Sequence, residues 1–161
     1  MFSAGSRGMS VTITPNGTTG KKFPKVNGII RTMLALNTAV YRLLGGRGMG
    51  KMGILTTVGA KTGQTRSLPL AIFDAGVDTW WVVASKGGAP QHPAWYINLA
   101  KNPDQVGLEV GGRRLKVVPA SLHGDERDRA WKTIVERSPN FGDYEKGTDR
   151  EIPVVRLTPV A

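Results

Sequence analysis

A chain of 161 residues, 40% hydrophobic and 21% charged, has the size and composition of one globular domain with a single core. It holds no cysteine and only two histidines, His92 and His123. That excludes disulfides, thiolate catalysis, cysteine-built zinc sites and a histidine-rich metal centre, so no metal is expected and a reducing, cytoplasmic location fits. The formal charge of +10 is confined to one half: residues 1–73 hold ten Lys/Arg and no Asp or Glu, whereas residues 74–161 hold twelve of each. Such asymmetry points to an anionic partner for the N-terminal half.

In chain order, residues 1–24 read as a disordered basic lead-in, rich in Gly, Ser and Thr and lacking the apolar stretch of a signal peptide. A single domain is expected over 25–161. No apolar run approaches the ~20 residues needed to cross a bilayer. From Lys25 to Leu44 the apolar residues Val26, Ile29, Ile30, Met33, Leu34, Leu36, Val40, Tyr41 and Leu44 recur near helical spacing, and Gly45-Gly46 would end the helix. This amphipathic helix reads as packing on its own domain. Contact with a membrane surface through Lys25, Arg31 and Arg42 would be weak and peripheral, at ~1 kcal/mol for each basic residue.

Ile54 to Val58 and Ser67 to Phe73 read as a hairpin about the turn Gly59 to Gln64. Trp80 to Ser85 is a third strand, stopped by the loop Lys86-Gly87-Gly88-Ala89-Pro90. Pro93 opens a short helix over Ala94 to Ala100. Val106 to Val110 and Arg114 to Pro119 form a second hairpin about Gly111-Gly112. Asp125 to Arg137 reads as a helix, a loop then carries Phe141 and Tyr144, and Ile152 to Leu157 is the last strand. Six short strands with inserted helices predict an α+β protein built on a small antiparallel barrel.

Three constellations could do chemistry. The turn from Gly59 to Arg66 is not a P-loop, because Lys61 precedes Gly63 and the turn joins two strands instead of opening a helix. It does place Lys61 at its tip and Arg66 at its exit, with backbone N–H groups able to form an anion-binding concavity. Next, Ala84-Ser85-Lys86-Gly87-Gly88 ends an apolar strand with a hydroxyl, a cation and free backbone donors. Finally, Trp95 and Tyr96 head a helix where they could wall a flat heterocycle. Hydrolysis finds little support, since Ser85 and His92 lack any nucleophile elbow. His123 reads as the cap of a surface turn, and Asp125, Glu126 and Asp128 as helix first-turn acids.

Taken together, these stretches resemble the deazaflavin-dependent nitroreductase family, also described as coenzyme F420-dependent quinone reductases. The matching segments are residues 55–66, Pro69-Leu70, Val83 to Gly88, Pro93 to Leu99, Asn102-Pro103, Asp143-Tyr144 and Thr148 to Pro153, in order over about residues 25 to 160. The resemblance implies a split β-barrel of the flavin-reductase type, with an N-terminal amphipathic helix and two or three peripheral helices. It further implies a bound deazaflavin, coenzyme F420, with FMN as the alternative.

Carried over residue by residue, Lys61 and Arg66, with Thr62, Gly63, Ser67, Leu68 and Pro69, would hold the phosphodiester and acidic glutamyl tail. Val83, Ala84, Ser85 and Lys86 would lie against the ring system, and Ala94, Trp95, Tyr96, Ile97 and Asn98 would close over it. Ser85 and Tyr144 are the candidate catalytic residues, although the cofactor does most of the chemistry, and Phe141 and Tyr144 would line the acceptor pocket. The chain departs from the family at Ala60, commonly Arg, and at Ala94, Met in some members. Phe141 and Ser138 stand where nitroimidazole-reducing members carry Tyr, which removes hydrogen-bond donors and disfavours nitroimidazole activation.

The implied activity is hydride transfer to a quinone, an activated alkene or a nitroaromatic. The rival readings are a non-catalytic deazaflavin carrier or sensor, an FMN-dependent relative, and a basic module for lipid or nucleic acid. Nucleic acid is disfavoured because the basic half has few aromatics for base stacking. The sequence leaves monomer or dimer undecided.

Overall fold

A computed structural model describes residues 10–22, 27–43 and 52–160. Helix α1 runs over Gly28–Leu43; the predicted helical positions Lys25, Val26 and Leu44, the stop at Gly45-Gly46 and most of the glycine-rich connector lie outside the described residues. Seven strands follow among the described residues: β1 Met52–Val58, β2 Thr65–Ala71, β3 Phe73–Gly76, β4 Thr79–Val83, β5 Gly107–Val110, β6 Arg113–Ser121 and β7 Val154–Pro159. Helix α2 (Ala94–Lys101) lies between β4 and β5, while α3 (Gly124–Arg137) and α4 (Asn140–Lys146) separate β6 from β7.

The strands form one antiparallel sheet in the order β2-β1-β5-β6-β7-β4-β3. Strands β2 and β4 stand five places apart in that order and still come into contact, so the sheet curls into a half-barrel. This is the α+β split-barrel architecture expected from the sequence. The run predicted as one strand over Ser67 to Phe73 is divided, which makes the seventh strand. Ala71 still pairs with Met52, but Phe73 pairs with Trp81, so the chain changes partner at the buried Ile72.

Two cores result from the period-2 alternation of strand side chains. Trp80, Val82, Val155 and Leu157 point into the barrel with Leu55, Leu108 and Val117, where Trp95, Tyr96 and Leu99 of α2 plug it. Their strand neighbours Trp81, Val83 and Val154 point the other way, under Ala130, Trp131 and Ile134 of α3 and Phe141 of α4. The loop predicted around Phe141 and Tyr144 is therefore helical. Gly142 is a poor helix residue, but burying Phe141 edge-on against Phe73, with ring centres 5.6 Å apart, overrides local propensity.

The disordered lead-in expected over 1–24 is corrected for residues 10–22, which form an extended strap hydrogen-bonded along the domain. Ser121 N–H donates to Ser10 O, Tyr96 Oη to Thr12 O, Gly17 N–H to Pro90 O and Lys21 N–H to Gly88 O. Helix α1 packs on β2 and hangs its Tyr41 hydroxyl on Met52 O at 3.0 Å. Its opposite side leaves Ile29, Met33, Leu36, Val40 and Leu43 between 40% and 85% exposed.

Candidate functional site

Strand β4 ends in an unusual backbone sequence. Ser85 is right-handed (φ −79°, ψ −39°), whereas Lys86 has φ +44° and Gly87 φ +62°. A right-handed residue followed by a left-handed one turns successive N–H groups to one side, forming a small anion-binding concavity. Lys86 pays a steric cost there that glycine would avoid, and such strain persists only where surroundings enforce it. Gly88 N–H to Ser85 O (2.9 Å) and Ala89 N–H to Lys86 O (3.1 Å) close the turn.

Hydrogen-bonded to this turn is Arg150, in the segment before β7. The residue is 3% exposed, and its guanidinium donates to Ala84 O (3.0 Å), Ser85 O (2.8 Å) and Ala89 O (3.0 Å). A further Nη1 contact reaches His92 Nδ1 at 3.0 Å. Because an arginine can only donate, Nδ1 must be the acceptor and the ring proton is on Nε2, which donates to Thr14 O at 2.6 Å. Burial, together with the charge of Arg150, holds the His92 pKa below its ordinary value against the opposing pull of the backbone bonds to Thr14 and Pro15.

Neighbouring Asp149 bonds the strap as Arg150 bonds the turn. Its carboxylate accepts from Thr18 N–H (2.8 Å), Thr18 Oγ1 (2.6 Å) and Thr19 N–H (2.9 Å). These bonds hold its pKa well below the usual carboxylate range. Helix α4 closes the other side of the turn: a Cβ on Gly88 would come within 2.8 Å of Tyr144 O. Tyr144 is half-buried, and its hydroxyl accepts from Asn140 Nδ2 at 3.3 Å.

The first hairpin turn is closed by Gly59 N–H to Gln64 O (2.8 Å) and Gly63 N–H to Gly59 O (2.9 Å). Gly63 has φ +67° and open space where a side chain would be, and Lys61 and Thr62 are exposed beside it. The buried Asn98 of α2 fixes the turn, accepting from Ala60 N–H at 3.0 Å and donating to Thr57 Oγ1 at 3.4 Å. Asn102 adds a bond to Val58 O at 3.2 Å. Helix α2 therefore joins the two cationic turns: it grips the hairpin through Asn98 and follows the Lys86 turn in the chain.

Not every candidate residue presents its side chain to the same space. Along β2, Arg66, Leu68 and Leu70 alternate with Ser67 and Pro69; Leu68 and Leu70 pack on the barrel core, and Ser67 Oγ bonds Thr56 Oγ1 at 2.8 Å. Val83, Ala84 and Trp95 are buried, Ala94 is exposed, and Ile97 is intermediate. Tyr96 is wholly buried, with its ring 4.8 Å from His92, so it supports the strap from inside. Phe141 is a core residue beside Tyr144 (ring centres 5.6 Å). The sequence reading assigned no role to Asp149 or Arg150. The one signal for them is that they fall in the family-matching segment Thr148 to Pro153; composition alone does not distinguish an Asp-Arg pair after a polar loop from surface charge.

The accessible donors are Lys61, Arg66, Lys86, the Ser85 hydroxyl and the backbone concavity at Ser85–Lys86. That set suits a ligand carrying several anionic groups and hydrogen-bond-accepting oxygens, and so fits an acidic deazaflavin. Among the described residues, no group of three or more His, Asp or Glu side chains could hold a metal ion.

The sequence model of the family described as F420H(2)-dependent quinone reductase matches residues 30–159. An F420H(2)-dependent quinone reductase of Mycobacterium tuberculosis is 40% identical over 135 residues, covering 78% of this chain and 89% of the relative. Among solved structures, an F420-H2 dependent reductase, FDR-A, is 39% identical with a TM-score of 0.59, over 67% of this chain and 94% of that one. A chain described as a domain-swapped dimer is 34% identical with a TM-score of 0.60, over 78% and 98% respectively.

Proposed function

The chain belongs to the F420H(2)-dependent quinone reductase family, and from that premise we propose that it reduces quinone-like acceptors with reduced coenzyme F420. When bound, the deazaflavin supplies the hydride. The observation that carries the reading is that α2 unites two cationic turns, one bearing Lys61 and Arg66 and the other Lys86. Lys61 and Arg66 neutralise the acidic tail, with Thr62, Gly63, Ser67, Leu68 and Pro69 along the same hairpin. Val83, Ala84, Ser85 and Lys86 support the ring system, and Ala94, Trp95 and Ile97 border it, while Tyr96 and Asn98 hold that border in place.

Tyr144 has a hydroxyl proton free to give, because its oxygen already accepts from Asn140 Nδ2. In this reading Tyr144 donates that proton from Oη to the reduced acceptor, with Ser85 Oγ as a second donor. Quinones come first among acceptors, followed by activated alkenes and then nitroaromatics.

The test is a titration of the protein with F420 and FMN side by side, repeated on Lys61→Ala and Arg66→Ala, followed by menadione-dependent oxidation of the reduced cofactor. Preferential F420 binding that each change weakens about tenfold, equivalent to one charge-assisted contact, supports the reading. Tight FMN retention would replace it with the flavin alternative. Saturable F420 binding without menadione-dependent turnover would make the protein a carrier.

Helix α1 supports a second reading, a transient contact with a membrane surface from the cytoplasmic side. No helix among the described residues is long and apolar enough to cross a membrane, so the contact would be peripheral. Ile29, Met33, Leu36, Val40 and Leu43 follow one another at steps of four and three, giving an exposed apolar stripe along the helix. Arg31 and Arg42 lie about 140–160° around the helix from Ile29, and Arg42 is paired with Glu109 at 2.9 Å. Adsorption would therefore rest on apolar insertion more than on charge. Co-sedimentation with zwitterionic vesicles, lost in Leu36→Asp, supports it; concentration-dependent dimerisation lost in that variant, without vesicle binding, would assign the stripe to a second copy.

A further inference from the structure

The feature left unassigned by this function is a buried cation without a counter-ion among the described residues. Arg150 meets three backbone carbonyls and a neutral imidazole, and no carboxylate is among its partners. Desolvating a charge is costly when nothing of opposite sign offsets it. An apolar side chain of similar volume could fill the same space, so packing alone does not account for a guanidinium here.

Its partners indicate its use. Ala84 O, Ser85 O and Ala89 O bracket the one stretch where a non-glycine residue of the site, Lys86, adopts a left-handed backbone. Drawing those carbonyls inward toward Arg150 leaves the Ser85–Lys86 concavity to be formed by N–H groups. The guanidinium is fixed against the inner side of that turn, away from solvent screening.

We propose that Arg150 is a positioning residue of the cofactor site, holding the Ser85–Lys86 turn in its left-handed form and lending it a buried positive charge that favours the hydride-loaded cofactor. The inference rests on the F420 reading above. Hydride uptake would bring two electrons and one proton, a net gain of one negative charge, which a fixed cation held against the Ser85–Lys86 turn would stabilise. Lys86 is half-buried and Arg150 fully buried, so the turn carries one cation in its own sequence and a second bonded to its carbonyls.

The experiment compares Arg150→Met and Arg150→Lys with the unaltered chain in two measurements. Amide hydrogen exchange on the ligand-free protein reads the turn: both variants should expose Gly88 and Ala89 N–H to faster exchange. Anaerobic binding of oxidised and reduced F420 reads the charge. Arg150→Met should weaken the reduced form about tenfold more than the oxidised form, a downward shift of about 30 mV in the potential of the bound two-electron couple. Arg150→Lys, which keeps the charge and loses the planar fork, should restore most of that ratio.

Equal weakening of both redox forms in Arg150→Met, or unchanged exchange at Gly88 and Ala89, would overturn the proposal. If Arg150→Met does not fold, Arg150→Lys decides it: native exchange together with native affinity would be the overturning result. Failure of the unaltered chain to bind F420 would sink the functional reading instead, and the exchange measurement would still judge the positioning role.

Discussion

Arg150 Nη1 donates to His92 Nδ1 across 3.0 Å, so the imidazole is neutral and carries its proton on the far nitrogen. His92 thereby relays between two segments remote in sequence, the strap through Thr14 O and the Lys86 turn through Arg150. A charged imidazole would face a guanidinium with a proton on both sides of the contact. The arrangement thus has a built-in intolerance of acid.

His92 should make stability fall as pH drops. Its pKa is lowered in the folded chain, so the unfolded chain takes up a proton first, beginning near the ordinary histidine value of about 6.5. The contribution is complete above that value and is lost below it. Urea midpoints measured from pH 8 to pH 5 should decline in the native chain and decline less in His92→Gln. Parallel profiles would show that His92 does not govern this window.

Asp149 predicts a separate effect on the strap. Its lowered pKa means that its bonds to Thr18 and Thr19 persist above the ordinary carboxylate value of about 4 and are lost only below it. Asp149→Asn removes the charge that strengthens three bonds at once. Limited proteolysis at neutral pH should cut residues 10–22 several-fold faster in this variant, with the rest of the domain equally resistant. An unchanged cleavage rate would mean that the remaining strap bonds suffice.

Asn98→Ala should lower stability by about 1–3 kcal/mol, because the buried Thr57 Oγ1 and the part-buried Ala60 N–H each lose their partner. It should also weaken F420 binding, even though Asn98 need never touch the ligand, because the turn carrying Lys61 would lose its hold on α2. Thermal denaturation and cofactor titration of the same variant check both halves. Native affinity in a destabilised protein would separate the turn's position from binding.

Two glycine substitutions should differ in kind. Gly63→Ala meets no neighbour, so only its left-handed backbone is penalised, at about 1 kcal/mol. Gly88→Ala adds a clash with the backbone of Tyr144 to a φ of +80°, and should cost about 2 kcal/mol or more while displacing α4. Denaturant midpoints give the ranking, and Tyr144 fluorescence or a proton-dependent loss of turnover reports the displacement.

Most strands were legible because alternation and turn glycines are local signals. The hairpin about Gly59 to Gln64, the strand at Trp80 and the helix opened by Pro93 all occur close to their expected places. The failures share a cause, dependence on distant partners. Helix α4 forms because Phe141 finds Phe73, and the break at Ile72 exists because β3 pairs with β4 and not with β1. The strap is ordered by Asp149, about 130 residues away in sequence. The cationic turns could be named from their composition, but Arg150 could not, since its role consists wholly of carbonyls brought to it by folding.

The sheet also ends in two unpaired borders, β2 and β3, among the described residues. Neither invites another chain to add itself on. Pro69 deprives β2 of a donor in mid-strand, and β3 is four residues long with an irregularity between Asp74 and Gly76. Both edges of the half-barrel are therefore poor templates for an added strand, and replacing Pro69 by a β-branched residue would remove one of those guards.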